Sequence, residues 1–314
     1  MTPTVDVERR TFPAMGTTVR LIAPASDDPG RITRAAARVQ RVFAREEQRF
    51  SRFRADSELS RVNADSGTWA RISKPFAALT HRALRAADET DGLFDPTVLP
   101  ALRAAGYDRD FAGIVDRELA DIRRDVKALM IKNATACGAW RDIEIDGDRI
   151  RLPEGAELDF GGIAKGWTVD AAMRVVSDLG WAIVDAGGDL RISGHPPVDG
   201  LEVGVEDPEE PGTEILRLRL PQGALATTSV RVRSWGAGVH HVIDPRTALP
   251  SLTPVVQATV WAPTCTDAEV WSKAAVLGGT PVLDRLSGML VMETGEILTS
   301  FDEARPTSMR KAIA

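Results

Sequence analysis

Apolar residues at Ile32, Ala36, Val39, Val42 and Phe43 recur with helical spacing and predict a helix over Arg31 to Phe50 with a charged outer face. Similar spacing predicts helices over Lys74 to Asp88, Gly162 to Leu179 and about Thr266 to Leu277, with a short one near Pro281 to Leu286. Thr11 to Ala23 alternates loosely, interrupted by Gly16, and reads as a strand or hairpin. Asp142 to Leu152 reads as a hairpin about Asp146-Gly147-Asp148. Trp181 to Val184 is a short apolar strand that runs into Ala186-Gly187-Gly188-Asp189, and Leu201 to Val260 is mostly strands separated by Gly and Pro. A last hairpin is expected across Met292 to Ile297. Strands and helices mix without a βαβ rhythm, so the pattern predicts an α+β fold rather than a doubly wound sheet. No fixed-period repeat and no low-complexity linker divides residues 1–314, which are expected to form a single domain.

Composition narrows the class. The chain has 314 residues, 43% hydrophobic and 27% charged, with a net charge of −6. These are the proportions of a globular protein with chain enough for a substantial core. The acidic balance disfavours a nucleic-acid or anionic-membrane binder that works by bulk charge. Met1 to Arg10 is polar and lacks the apolar core of an export signal, and no apolar run reaches 18 residues, so neither a membrane anchor nor a span is expected. Cys137 and Cys265 lie far apart and are expected to be reduced, in keeping with a cytoplasmic protein. Lysine is scarce: six among 39 basic residues, two of them at Lys165 and Lys273.

Five segments carry candidate chemistry. In Ser51 to Asn63, Asp56 or Ser57 is explained by an ordinary helix cap. In Gly92-Leu93-Phe94-Asp95-Pro96-Thr97-Val98, turn chemistry explains the ends, and Asp95 beside Phe94 is a candidate ligand acceptor. Asp159-Phe160-Gly161-Gly162-Ile163-Ala164-Lys165-Gly166 places paired glycines and a lysine at a helix entry. There the free N–H groups favour an anion and the helix dipole disfavours a cation. The spacing is not that of a P-loop, and a Gly-rich helix entry with a solvated lysine is the competing reading. Asp185-Ala186-Gly187-Gly188-Asp189 is a second strand-to-glycine element, and the two together fit a clamp on a diphosphate. Finally, His240 and His241 are adjacent on an expected strand, so at most one ring faces a given site. A histidine near a carboxylate is a candidate general base, with a hydrogen-bonded core histidine as the alternative.

In this order the segments resemble the ApbE family, the FAD:protein FMN transferases, over roughly Phe12 to Gly279. The elements are Ala14-Met15-Gly16-Thr17, Ser57 to Asn63, Gly92 to Val98, Gly161 to Gly166, Gly187-Gly188-Asp189 and His240 to Pro245. The resemblance implies an α+β, two-lobed domain with FAD in a cleft. It also implies cleavage of the FAD diphosphate, release of AMP, and FMN joined by a phosphoester to a threonine of an acceptor protein. Mg²⁺ at the diphosphate is the implied cofactor. By position, Met15, Ser57, Glu58, Asp95, Lys165, Asp170, Gly187, Gly188 and Thr228 would line or shape the FAD site. His241 would take the threonine proton, with Asp244 orienting it, and the Ala164 carbonyl would bind the metal.

The sequence departs from the family near its C-terminal end, where an Asp and, four residues on, a hydroxyl residue are usual. Aligned on Gly279, these positions hold Glu269 and Lys273; no register restores both ligands. Glu269 is then the remaining metal ligand, with Lys273 replacing a ligand or the metal, unless the two form an ordinary helix ion pair. Val230 follows Thr228-Ser229 where a glycine is usual, and Ala248 stands at another usual glycine, so the local loop is expected to differ. Three functions compete, in order of preference: an FMN transferase, an FAD-binding module with little or no transfer, and an FAD diphosphatase that uses water as acceptor.

Overall fold

The computed structural model describes residues 6–114, 137–235, 239–301 and 305–309. At its centre is an eight-stranded sheet made of β1 (Val7–Ala14), β2 (Thr17–Pro24), β3 (Trp181–Ala186), β4 (Leu190–Gly194), β5 (Gly223–Ser229), β6 (Val255–Ala262), β7 (Ser287–Met292) and β8 (Ile297–Thr299). The spatial order equals the chain order, and every neighbouring pair is antiparallel. Among the described residues the α-helices are α1 (Arg31–Phe50), α2 (Glu58–Ala64), α3 (Lys74–Glu89), α4 (Leu99–Ala104), α5 (Ala164–Arg174), α6 (Cys265–Gly278) and α7 (Thr280–Leu283). The α+β expectation holds.

Both faces of the sheet are covered, which is why β3 is buried at every position. Alternate side chains divide between two cores. Val19, Leu21, Val184 and Ala226 pack against Ile32, Val39 and Phe43 of α1 and Val169 of α5. Ile183, Leu225 and Val260 pack the other way, with Leu216 and Leu218 from a three-stranded sheet and Ala275 and Val276 from α6. A further core joins α2 and α3 to a small sheet through Phe50, Leu59, Phe76, Ile150 and Phe160.

The α1 boundaries match those read from the spacing. The helix expected over Gly162 to Leu179 is shorter: it begins at Ala164 because the glycines form the preceding turn, and it stops at Arg174 before the β-branched pair Val175-Val176. A single 3₁₀ turn, Ser177–Leu179, follows. The hairpin turn at Met15-Gly16 has φ values of 49° and 67°, as a two-residue primed turn requires, and it puts a non-glycine side chain in the left-handed region. Ala248 is also left-handed, at φ 57°, which accounts for the usual glycine there; Val230 is not.

Candidate active site

A cavity of about 330 Å³ opens where the β1–β2 turn, the end of α1 and the start of α5 meet. Its wall includes Met15, Phe53, Tyr107, Asp159, Lys165 and Arg233. Phe53 is 45% exposed, an open aromatic face in that wall. Its ring centroid lies 5.7 Å from that of Tyr107, and the Arg52 guanidinium sits 4.2 and 4.3 Å from the two centroids. Arg52 is held by the Tyr107 carbonyl at 2.6 Å and by Asp159 at 3.0 Å.

Lys165, in the first turn of α5, ends between two buried carboxylates. Its Nζ bonds Glu269 and lies 2.5 Å from Asp189. The second Glu269 oxygen accepts the Gly166 N–H at 2.8 Å. Burial opposes charge on Lys165, but Asp189 and Glu269 outweigh it and hold the ammonium above its ordinary pKa. This contact demands close helix packing. A Cβ on Gly166 would stand 2.4 Å from the Cys265 carbonyl, so only glycine lets α5 approach α6 here.

Lys273, also on α6, lies across the Gly161-Gly162 turn. A Cβ on Gly162 would fall 2.1 Å from its Nζ and 2.8 Å from its Cε. Burial pushes its pKa down, while Asp159 and Glu269 act in the opposite direction. Among the described residues neither Lys273 nor Arg233 has an ion-pair partner, and each lies in the electrostatic field of the other and of Lys165.

The two histidines have different surroundings, but the strand expected to carry both is the two-residue Val239–His240, and His241 lies just beyond it. His240 is buried, its Nε2 3.0 Å from the Ser251 carbonyl and its Nδ1 accepting the Val242 N–H at 3.3 Å. Both nitrogens are thus used in the core. His241 is half-buried, and its Nδ1 donates to the Arg233 carbonyl at 3.4 Å. A carbonyl only accepts, so Nδ1 carries the proton and the Nε2 lone pair is left to receive one. Burial first, then Lys273 and Arg233, lower its pKa well below 6.5.

Asp244 does not orient His241. Both its oxygens are taken by Arg246, at 2.9 and 2.7 Å, because the turn at Pro245 brings that guanidinium back over the carboxylate. Several other expected ligand residues serve as fasteners. Ser57 caps α2 by accepting the Ser60 N–H, and Glu58 bonds Ser73, the cap of α3. Asp95 accepts from Thr97 and from the Gly138 N–H. Asp170 accepts from the Cys265 and Thr266 N–H groups and the Thr266 hydroxyl, so it fixes α5 to the N-terminus of α6. Thr228 shares a hydrogen bond with Ser272 of α6 at 2.8 Å. Gly187 and Gly188 form the β3–β4 turn, where the Gly188 N–H is held by Asp185. Met15, Ala164 and Lys165 line the cavity.

Residues 15–288 match the ApbE family model. The chain belongs to the ApbE family. Curated relatives include the FAD:protein FMN transferase of Treponema pallidum (strain Nichols), 26% identical over 284 residues, covering 84% of this chain and 77% of that one. The FAD:protein FMN transferase of Vibrio cholerae serotype O1 is 27% identical over 304 residues, 91% and 84% of the two chains. Among solved structures, the ApbE protein of Thermotoga maritima MSB8 superposes with a TM-score of 0.81 at 25% identity, covering 94% of this chain and 97% of that one. The flavin transferase ApbE from Vibrio cholerae gives 0.76 at 21%, covering 95% and 98%.

Within this ApbE site, Arg52, Asp159 and Arg233 were not singled out from the sequence. Arginine is too common in this chain for one to draw notice, and Asp159 and Arg233 acquire their roles only when distant segments converge. Asp189 carries a signal in its Gly-Gly-Asp setting, where a tight turn already accounts for the glycines.

Proposed function

We propose that this chain is an FAD:protein FMN transferase. The reading rests above all on one juxtaposition: a cavity with an open aromatic face and Arg233 in its wall, next to a Gly-rich helix entry against which Lys273 lies, the two cations having no ion-pair partner among the described residues. It is supported by the family membership and the names of the relatives. Phe53 offers a face for a flavin or adenine ring, and the dipole at the start of α5 favours an anion there, although the Gly161, Ile163, Ala164 and Gly166 N–H groups are taken by Asp159, Phe160 and Glu269. The acceptor is a protein bearing a threonine. Its hydroxyl oxygen attacks the phosphorus on the FMN side; a P–O bond forms there, the bridging P–O bond breaks, and AMP leaves with the bridging oxygen. The hydroxyl proton passes to Nε2 of His241. Positive groups around the diphosphate stabilise the charge that moves onto the leaving phosphate. Residues 1–314 act as one catalytic unit in this reading, and no described helix is long and apolar enough to cross a membrane. Both cysteines are free thiols, in keeping with a cytoplasmic setting.

Mg²⁺, the cofactor that the family resemblance implies, does not fit the donors present. A magnesium ion asks for octahedral oxygen ligands with lone pairs to give. Both Glu269 oxygens are bonded to Lys165 and Gly166, and the Ala164 carbonyl accepts the Thr168 hydroxyl at 2.7 Å. Lys273 contributes donors and no acceptor. Among the described residues no group of three His, Cys, Asp or Glu side chains is placed to hold a metal.

The test is to incubate the purified chain with FAD and a threonine-containing acceptor, then follow acceptor mass and AMP together. An FMN adduct with equimolar AMP is expected. AMP and free FMN with an unmodified acceptor would identify a diphosphatase, and bound, intact FAD would identify a binding module.

A further inference from the structure

We propose that this chain holds the diphosphate of its flavin nucleotide with side-chain cations alone, Lys273 and Arg233 supplying the charge, so that binding needs no divalent metal. The proposal rests on the reading of FAD as ligand and names how that ligand's charge is met.

Three observations carry it. The first is the location of Lys273. Its ammonium lies against Gly162, at the turn whose N–H groups precede α5, so its charge adds to that of the helix N-terminus at one point. The second is the partner count. Lys165 is already satisfied by Asp189 and Glu269, and Arg52 by Asp159. Lys273 and Arg233 have no such partner among the described residues. Two like charges held near each other, and near a third, repel; an anion between them removes that repulsion. The third is the state of the carboxylates. A cation entering this space would have to take Glu269 from Lys165 and Gly166 while facing the Lys273 ammonium. A dianionic diphosphate meets complementary charge, whereas a divalent cation meets like charge and occupied donors. Lysine suits this role as a compact point charge on a flexible stem, able to follow a non-bridging oxygen.

Equilibrium binding of FAD to the full chain, followed by flavin fluorescence, tests the proposal. The chain is first treated with EDTA, then titrated in EDTA and again in excess Mg²⁺. The two dissociation constants are expected to agree within about threefold, well under the 1.4 kcal/mol of a tenfold change. Lys273→Met, which keeps the stem and removes the charge, is expected to weaken FAD about tenfold or more. Lys273→Arg should recover most of that loss. Riboflavin, which lacks the diphosphate, should bind the unaltered chain and Lys273→Met equally. FAD binding that vanishes in EDTA and returns with Mg²⁺ would overturn the proposal, and so would Lys273→Met that binds FAD like the unaltered chain. The chelator series needs no variant, so it decides even if Lys273→Met misfolds. FAD binding that requires Mg²⁺, with FMN transfer proceeding once Mg²⁺ is supplied, would refute metal-free binding and leave the transferase reading intact. Tight EDTA-resistant FAD binding without transfer would do the reverse.

Discussion

A base that works near neutral pH must be uncharged there and must keep a lone pair free, and His241, in the role proposed for it, meets both demands for separate reasons. The Arg233 carbonyl fixes the proton on Nδ1, and burial with Lys273 and Arg233 keeps the second proton off. Its folded-state pKa therefore lies below the ordinary 6.5. Above pH 6.5 the ring is neutral in both folded and unfolded chains and adds no pH dependence. Below it, unfolded chains bind a proton that folded chains refuse, so this group costs stability as the pH falls. For transfer, the acid limb of kcat/KM should lie well under pH 6.5, and His241→Asn should lower kcat about 10²- to 10⁴-fold with FAD affinity retained. A profile with its acid limb at 6.5 or above, measured by AMP release, would contradict this assignment. At this scale the sequence points to Lys165 through its unfavourable place on the helix dipole and to His241 only through the family resemblance, since strand alternation leaves the choice between His240 and His241 open. It did not show that Asp95, Asp170 and Asp244 spend their oxygens on nearby donors, because a fastening carboxylate and a ligand-binding one look alike until their partners are known.

At the scale of elements, the site depends on how closely α5 and α6 approach. Asp170 ties the N-terminus of α6, Gly166 removes the atom that would hold the helices apart, and only then do Lys165 and Glu269 meet. Such a buried ion pair is costly to break from one side, about 3–5 kcal/mol, since the remaining charge stays desolvated. Gly166→Ala should therefore do more than crowd one carbonyl. It is expected to destabilise the fold by about 1–3 kcal/mol through overpacking, and denaturant unfolding should report a lower midpoint at an unchanged slope. An unaltered midpoint would mean that the helices can separate freely. Element positions were the most legible feature of the chain, because α1 and α3 bury one stripe and so display their period. The helix-to-helix contact was hidden, since α5 and α6 are buried on most sides and show little contrast between faces.

Across the whole molecule, the cavity draws its wall from segments that belong to different cores. Met15 follows β1 of the central sheet, Phe50 packs with Phe76 and Phe160 in the α2–α3 core, and Tyr107 belongs with α4 and Trp235. A ligand that touches all three adds contacts between cores, two of which already share α1, α5 and α6, so it should raise the cooperative stability of the whole. Binding to the folded state alone contributes about 2.7 kcal/mol at a ligand concentration one hundred times Kd. For a chain of this size that corresponds to a rise in melting temperature of several degrees, at about 2–4 °C per kcal/mol for somewhat smaller proteins. FAD should give the full shift in a single transition, and riboflavin a smaller one, because it reaches the aromatic wall without engaging Arg233 or Lys273. Two transitions, only one of them moved by FAD, would mean that the nucleotide contacts one core alone. Equal shifts from FAD and riboflavin at matched saturation are expected on thermodynamic grounds, so the comparison must be made at equal free concentration, where the diphosphate's contribution to affinity becomes the difference in temperature.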